Sequence, residues 1–585
     1  MKRSLSLLLA LCMLIALMPC VSAEAASPAY QAGTYTSTQF GMGGYFDIVV
    51  TFDDNAIVSI ETENSNETLM VGTEAIRILT DRVLTFQSLD LDVISGATYS
   101  SYAFIAGVKD CVKQAGGDVN ALTQVPVIVD TYADDTHEAD IIIVGAGLAG
   151  VTAALSAKDN GGDVILLEQK AYIGGNSVIS TGTFIFGGTT IQEGLGIVDD
   201  PDTFEAWANA NSGNAKDPVQ VKMVAQNGQA LIDYYATLGV GFNTKKVNAT
   251  DGSEINRGHA ASPNIGTMVA GMRDQLEAKG VDTRFNTRVT GLITDESGTV
   301  IGVNAIDYEG NETAYYGKSI ILAAGGWGAN HDMLVENWGE DYTNIVYGGA
   351  TGMDGTLLNA AIAIGADTTD MHDVHIDATL EVTRGITITT NLLRNCGGIL
   401  IRADGTRFAD EPTSHCEVAA AVMHDLGDEY YYEIVDESMF NYSEAVTSKA
   451  TSYVNMGLTK QYDSVEAMAE GIGVDSSVLQ STLDAYNAAA RGEAEDPFGR
   501  TKFADELQAP FYVLKVANGV ACTTGGLKIN ENLQVVNTEG NVIPGLYGIG
   551  EITGGYRIHY VGGDSLSHSG ISGMLIGQWL SESAE

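Results

Sequence analysis

The segment Asp140-Ile-Ile-Ile-Val-Gly-Ala-Gly-Leu-Ala-Gly150 constrains this chain more than any other. Its run of apolar residues, ended by a glycine, reads as a parallel strand buried on both faces. Gly145, Gly147 and Gly150 permit a tight turn, close approach of a pyrophosphate, and close helix–strand packing. A helix opening near Leu148 aims its free amides at that phosphate. A second strand, Asp163-Val-Ile-Leu-Leu-Glu168, ends in an acid placed to accept hydrogen bonds from a ribose. The expected fold class is α/β, with a Rossmann-like domain. No second fingerprint of this kind occurs, so a single dinucleotide is expected.

Three later segments favour FAD over a nicotinamide. Gly174-Gly-Asn-Ser177 follows Glu168 closely, where flavoproteins wrap the pyrophosphate and ring. Ser319-Ile-Ile-Leu-Ala-Ala-Gly-Gly326 is a strand ending in a small-residue turn. Gly545-Leu-Tyr-Gly-Ile-Gly-Glu-Ile-Thr-Gly-Gly555 leads to a Gly-rich helix from about Ser567.

A different signal lies upstream, in Asp92-Val-Ile-Ser-Gly-Ala-Thr98. Gly96 and Ala97 leave room for a ring and a phosphate close to the backbone. The competing reading is an ordinary glycine turn before a helix from Tyr99 to Gln114. The segment from Pro28 to Gly117 resembles an FMN-binding module, matching Asp-x-x-Ser-Gly-Ala-Thr at every fixed position. The resemblance implies FMN joined to Thr98 through a phosphoester by a flavin transferase.

The 585 residues suggest several domains. A net charge of −45 argues against nucleic acid or anionic lipid as partners. Lys2, Arg3, the apolar run Leu5–Met18 and Val21-Ser22-Ala23 read as a signal peptide over residues 1–25. Export is therefore expected, to an extracellular, cell-surface or periplasmic location. A retained anchor is the competing reading, and Cys20 gives weak support to a lipoprotein. Beyond the leader, Cys111, Cys396, Cys416 and Cys522 are widely spaced. No Cys-x-x-Cys occurs, so zinc, iron–sulfur and c-type haem sites are not readable and no metal is expected.

Taken in order, these segments resemble the flavoprotein subunits of fumarate reductase and succinate dehydrogenase. The branch is that of flavocytochrome c-type and urocanate reductase-like enzymes. The resemblance implies a Rossmann-like FAD domain, residues 138–371 and 519–585, interrupted by an α+β capping domain at 372–518. A small α+β FMN domain, 28–118, and a linker, 119–137, would precede it. Carried-over FAD contacts are Gly145, Gly147, Ala149, Gly150, Glu168, Gly175, Asn176, Ser177, Gly182 and Val289. Ala324, Gly325, Gly352, Asp354, Gly550, Glu551, Ser565 and Leu566 complete the set. Asp354 sits in Thr-Gly-Met-Asp-Gly, one residue longer than the usual motif. Asn176 and Ser177 stand near where the respiratory branch attaches FAD to histidine, so FAD is expected to be non-covalent.

The site departs from the family. Asp377 falls on the substrate-carboxylate histidine, and Asn391 replaces the relay glutamate in Thr390-Asn-Leu-Leu-Arg394. His415 takes the place of the proton-donating arginine, and Tyr560 that of a second carboxylate-binding arginine. A dicarboxylate needs bidentate cationic donors to offset its desolvation. Fumarate is therefore not expected as substrate. His415, Tyr560 and Arg407 are the candidate catalytic residues; Asp377, Thr390, Arg394 and His559 are the candidate substrate contacts. For Arg407 the competing reading is a structural ion pair with Glu411 at helical spacing.

The expected activity is reduction of the C=C bond of an unsaturated acid or enone in anaerobic respiration. Electrons would enter through FMN from a membrane quinol or NADH dehydrogenase system, or from a diffusible extracellular flavin. A ketosteroid-type reductase or dehydrogenase and a non-enzymatic extracellular flavin carrier are the alternatives.

Overall fold

The structure, a computed structural model, describes residues 29–582 except 134, 212–216, 251–252, 374, 383–392, 394–396, 412–429, 442–443, 502, 504 and 557–560. The proposed leader, Cys396 and Cys416 lie outside the described residues.

The strand Glu138–Val144 sits at the centre of an eight-stranded sheet. It pairs in parallel with Val164–Leu167 on one side and Glu312–Leu322 on the other. Its last four residues are buried, as an apolar run flanked by strands on both sides requires. Asp282–Arg284 extends the parallel part, and Val542–Gly548 joins the far side of Glu312–Leu322. Val300–Ile306 and Arg288–Thr294 add an antiparallel edge.

The helix Leu148–Asp159 leaves the first strand and is buried over nearly its whole length. It packs against the C-terminal helix Asp564–Glu582. Glycine makes that contact close: a Cβ on Gly573 would stand 2.4 Å from the Ala149 carbonyl oxygen, and one on Gly577 2.5 Å from that of Ala153.

A second apolar core lies under a mixed sheet centred on Phe511–Val520. Asp377–Glu381, Tyr431–Asp436 and Thr459–Tyr462 pair with that strand, and Ile399–Ile401 pairs with Tyr431–Asp436. Val346–Tyr347, far outside the 372–518 span, also joins this sheet, opposite Gly519 and Val520. Its strands therefore continue from the cap into the FAD portion.

The N-terminal unit is a three-stranded antiparallel sheet, Gly33–Phe40, Tyr45–Phe52 and Ile57–Glu63. Phe46, Ile48, Val50 and Phe52 alternate inward and meet the helices Gly72–Phe86 and Thr98–Gln114 in a separate core. Cys111 is buried there, and desolvation pushes its thiol up to about 11. This unit rests on the rest of the chain. Glu74 pairs with Arg273 at 2.7 Å, the Tyr308 hydroxyl donates to Asp92 at 2.6 Å, and Met42 packs on the cap core.

The expected linker begins with a short helix, Val119–Leu122, capped by Asp118. The remainder is irregular but tethered. The Tyr132 hydroxyl accepts from the Phe285 amide, and Arg284 donates to the Thr136 carbonyl while lying over the Tyr132 ring.

Candidate functional site

A cleft with about 930 Å³ of open space runs along the C-terminal ends of the parallel strands. Dinucleotide ligands bind at this end of such sheets. Gly145, Gly147, Ala149, Glu168, Gly175, Asn176 and Ser177 line it from the first half of the FAD module. Val289, Ala324, Gly325, Gly352, Asp354 and Glu551 line it from the remainder.

The three fingerprint glycines do three different things. Gly145 has φ +102°, and a Cβ there would stand 2.4 Å from the Ala323 carbonyl oxygen. Gly150 carries the helix onto the turn, since its Cβ would fall on the Gly145 oxygen. Gly147 faces open space with nothing within 4 Å, the cradle a pyrophosphate requires. Glu168 closes the ribose end. Its oxygens accept the amides of Ala146 at 2.7 Å and Lys170 at 2.8 Å. Burial raises its pKa despite those bonds and the Lys170 charge. Each oxygen retains acceptor capacity for a ribose hydroxyl. These residues fit FAD.

Asn176 lines the cleft with its amide held by protein groups. Its Oδ1 accepts the Ala350 amide at 2.7 Å, while its Nδ2 donates to Glu551 at 2.8 Å and to the Ala521 carbonyl at 3.3 Å. The amide thus braces the cleft wall and is satisfied by protein. Glu551 also accepts the Thr523 amide at 3.0 Å. Tyr347 stands beside this brace, donating to the Ala350 carbonyl at 3.0 Å. Burial raises its pKa, and the Glu551 charge adds to the effect.

Asp354 reaches the cleft despite the extra residue in its motif. Its carboxylate takes Arg288 at 2.8 Å and the Thr356 hydroxyl at 2.7 Å. The additional residue, Met353, also lines the cleft, with its thioether toward Gly325.

Gly150, Gly182, Gly550, Ser565 and Leu566 are not among the residues that line this cleft. Gly182 packs on Ile265, and Gly550 on Ala149. Ser565 and Leu566 open the C-terminal helix. Lys170, Thr351, Arg288 and Ser569 line the cleft and were not singled out from the sequence. Lys170 alone had a readable signal, two residues past the ribose acid.

On the cap side, Asp377 begins its strand opposite Gly519, with Val346 on the other flank of that glycine. It therefore lies beside the chain that continues into Ala521–Thr523, the part of the wall held by Asn176 and Glu551.

Arg407 is corrected. It is 7% exposed, with Nε and Nη2 donating to Glu411 at 2.9 and 2.7 Å and Nη1 to Asp496 at 2.6 Å. Arg500 also donates to Glu411, at 2.9 Å. The guanidinium is committed to the cap core and holds no substrate. Nor is the pairing helical, because Arg407 bridges back to Ile401 in extended backbone. His415, Tyr560, His559, Thr390 and Arg394 lie outside the described residues.

In the N-terminal unit, Thr98 is exposed and starts the helix Thr98–Gln114. The turn before it is held by side chains. The Ser101 hydroxyl donates to the Ala97 carbonyl at 2.9 Å and accepts the Ile94 amide at 3.1 Å. Ser100 donates to buried Glu67 at 2.5 Å.

Residues 140–565 match the FAD binding domain family, and residues 41–113 match the FMN-binding domain family. The chain is 28% identical over 559 residues to an NADH:fumarate oxidoreductase of Klebsiella pneumoniae (strain 342), covering 94% of this chain and 58% of that protein. It thus spans little more than half of that relative. It is 26% identical over 554 residues to a urocanate reductase of Eggerthella lenta, covering 93% of this chain and 91% of the relative. A flavocytochrome c3 fumarate reductase in an open conformation superposes with a TM-score of 0.71 at 25% identity, over 79% of this chain and 84% of that one. No described helix is long and apolar enough to cross a membrane. The chain belongs to the FAD-dependent fumarate reductase and succinate dehydrogenase flavoprotein family, as a flavin-dependent oxidoreductase in which FAD-binding and FMN-binding domains are joined.

Proposed function

We propose that this protein is an exported reductase acting on the C=C bond of an α,β-unsaturated acid or enone, with electrons entering through FMN esterified to Thr98. One observation carries the reading. The turn that ends in Thr98 abuts Lys170 and Thr351, and both of those residues line the FAD cleft. The two flavin sites therefore share a wall, which makes transfer between them short.

FAD held in the cleft would, once reduced through FMN, supply a hydride to the carbon β to the electron-withdrawing group. The chain must supply the matching proton to the α carbon. His415 suits that role because imidazole titrates near neutrality. Tyr560, with His559, is assigned to the carbonyl oxygen, where a hydrogen bond stabilises developing negative charge. Thr390 and Arg394 are assigned to a single carboxylate. With Arg407 withdrawn into the cap, Arg394 remains the one cation in this set. Asp377, when ionised, would repel a second carboxylate, so fumarate is a poor substrate. The likeness to a fumarate oxidoreductase and a urocanate reductase supports the reaction class. Maturation calls for a flavin transferase, and the donor is a membrane quinol or NADH dehydrogenase system.

The test is anaerobic reoxidation of the dithionite-reduced protein by a panel of acrylates, aryl acrylates, enones and fumarate. Rapid reoxidation by a monocarboxylate or enone, with fumarate far slower, is expected. Fumarate turnover equal to the best substrate would overturn the assignment, and reoxidation by no unsaturated compound would favour the flavin-carrier reading.

A further inference from the structure

Three polar groups of the FAD module converge on the turn before Thr98. A Cβ placed on Gly96 would stand 2.6 Å from the Tyr172 hydroxyl, 3.4 Å from Thr351 Oγ1 and 3.7 Å from Lys170 Nζ. Lys170 is 7% exposed and Tyr172 4%. The ammonium lies 5.6 Å from the centroid of the Tyr172 ring. Among the described residues, neither Lys170 Nζ nor the Tyr172 hydroxyl makes a hydrogen bond or an ion pair to protein. Glu168 attracts the ammonium from a distance, but burial wins and its pKa is lowered. Lys170 also lines the open FAD cleft, so its ammonium, held by no protein carboxylate, is placed to meet an anion.

The turn supplies the other half. The helix Thr98–Gln114 begins there, and its first amides have no intrahelical acceptor. They favour a phosphate. Gly96 and Thr98 are two residues apart, a span of at most about 7 Å. An ester phosphate on Thr98 is thus within reach of the cluster.

We propose that Lys170, with Tyr172 and Thr351, clamps the phosphate of the flavin ester on Thr98 and so fixes the FMN module against the FAD cleft. This rests on attachment at Thr98. The same ammonium lines the FAD cleft, so a phosphate of FAD is the rival source.

Phosphorus NMR of the holoprotein, matured with its transferase, separates the two. The wild type should show an FMN diester signal and the two pyrophosphate signals of FAD. Lys170→Met should shift the diester signal and leave the pyrophosphate signals in place, while intact mass still shows covalent FMN. Lys170→Arg should restore most of the shift. Movement of the FAD signals alone, or of no signal, would overturn the clamp. If Lys170→Met does not accumulate, Tyr172→Phe removes one donor and keeps the ring; an unmoved diester there counts against the clamp equally. Thr98→Ala should abolish the diester signal. Its persistence there would sink attachment at Thr98, whatever the Lys170 variants show.

Discussion

Asn176 donates from Nδ2 to Glu551 across 2.8 Å, joining two cleft walls that are 375 residues apart in the chain. The same amide holds Ala350 through its oxygen, so one side chain ties three segments. Replacing Asn176 with alanine removes the acceptor of the Ala350 amide and one donor to Glu551. That loss costs about 1–3 kcal/mol per buried group. Asn176→Ala should lower the melting temperature and weaken FAD, measured by flavin fluorescence on dilution. Asn176→Asp should be worse, because it sets a carboxylate against Glu551. A variant with wild-type flavin affinity and melting temperature would show the brace to be dispensable.

Gly96 is under two constraints. Its φ is +85°, and a side chain would strike the Tyr172 hydroxyl. Gly116 provides the control, with φ +79° and nothing within 4 Å. Gly116→Ala should cost only the left-handed strain, about 1–2 kcal/mol. Gly96→Ala should lose more than that and also slow electron passage from FMN to FAD, read by stopped-flow absorbance. Equal losses in the two variants would mean that contact with Tyr172 does not matter to docking.

The features legible in the sequence are those that local backbone geometry fixes. Gly145 takes a positive φ and Gly150 packs on the Gly145 oxygen within a single turn, and Glu168 follows at the end of the next strand. Asn176 lines the cleft, but the bonds of its amide are not readable in the sequence, because its partners arrive from Ala350, Ala521 and Glu551. Arg407 and Glu411 carry a helical spacing, yet they pair outside any helix, and Asp496 and Arg500 complete the cluster from elsewhere. Val346–Tyr347 is too short to show any periodicity, and only its pairing with the end of Phe511–Val520 makes it a strand.

The buried cluster of Arg407, Glu411, Asp496 and Arg500 has a stability consequence. Arg407→Met leaves two carboxylates partly uncompensated, which costs about 3–5 kcal/mol when a buried pair is broken. Burial pushes Asp496 upward, but the hydrogen bond and charge of Arg407 outweigh it, so its pKa is lowered. A lowered folded value gives stability that is present above the unfolded value, near about 4, and lost as pH falls through the folded one. The wild-type cap should therefore lose stability on acidification below that point, and Arg407→Met should flatten the dependence. A variant that keeps its melting temperature but loses turnover would return Arg407 to the reaction.

His259 sets a second, higher pH window. It is fully buried, with Nδ1 against the Arg257 carbonyl at 2.7 Å and Nε2 against Thr189 Oγ1 at 2.8 Å. Desolvation lowers its pKa from 6.5 to about 4, against the pull of the Arg257 carbonyl and Asp199. The unfolded chain therefore binds a proton that the folded chain refuses between those values. Stability should be fully present above about 6.5 and fall as pH drops toward about 4, by about 3 kcal/mol in all. Chemical denaturation at a series of pH values would show this slope, and His259→Gln, which cannot titrate, should remove it. A slope that survives the substitution would assign the window to another group.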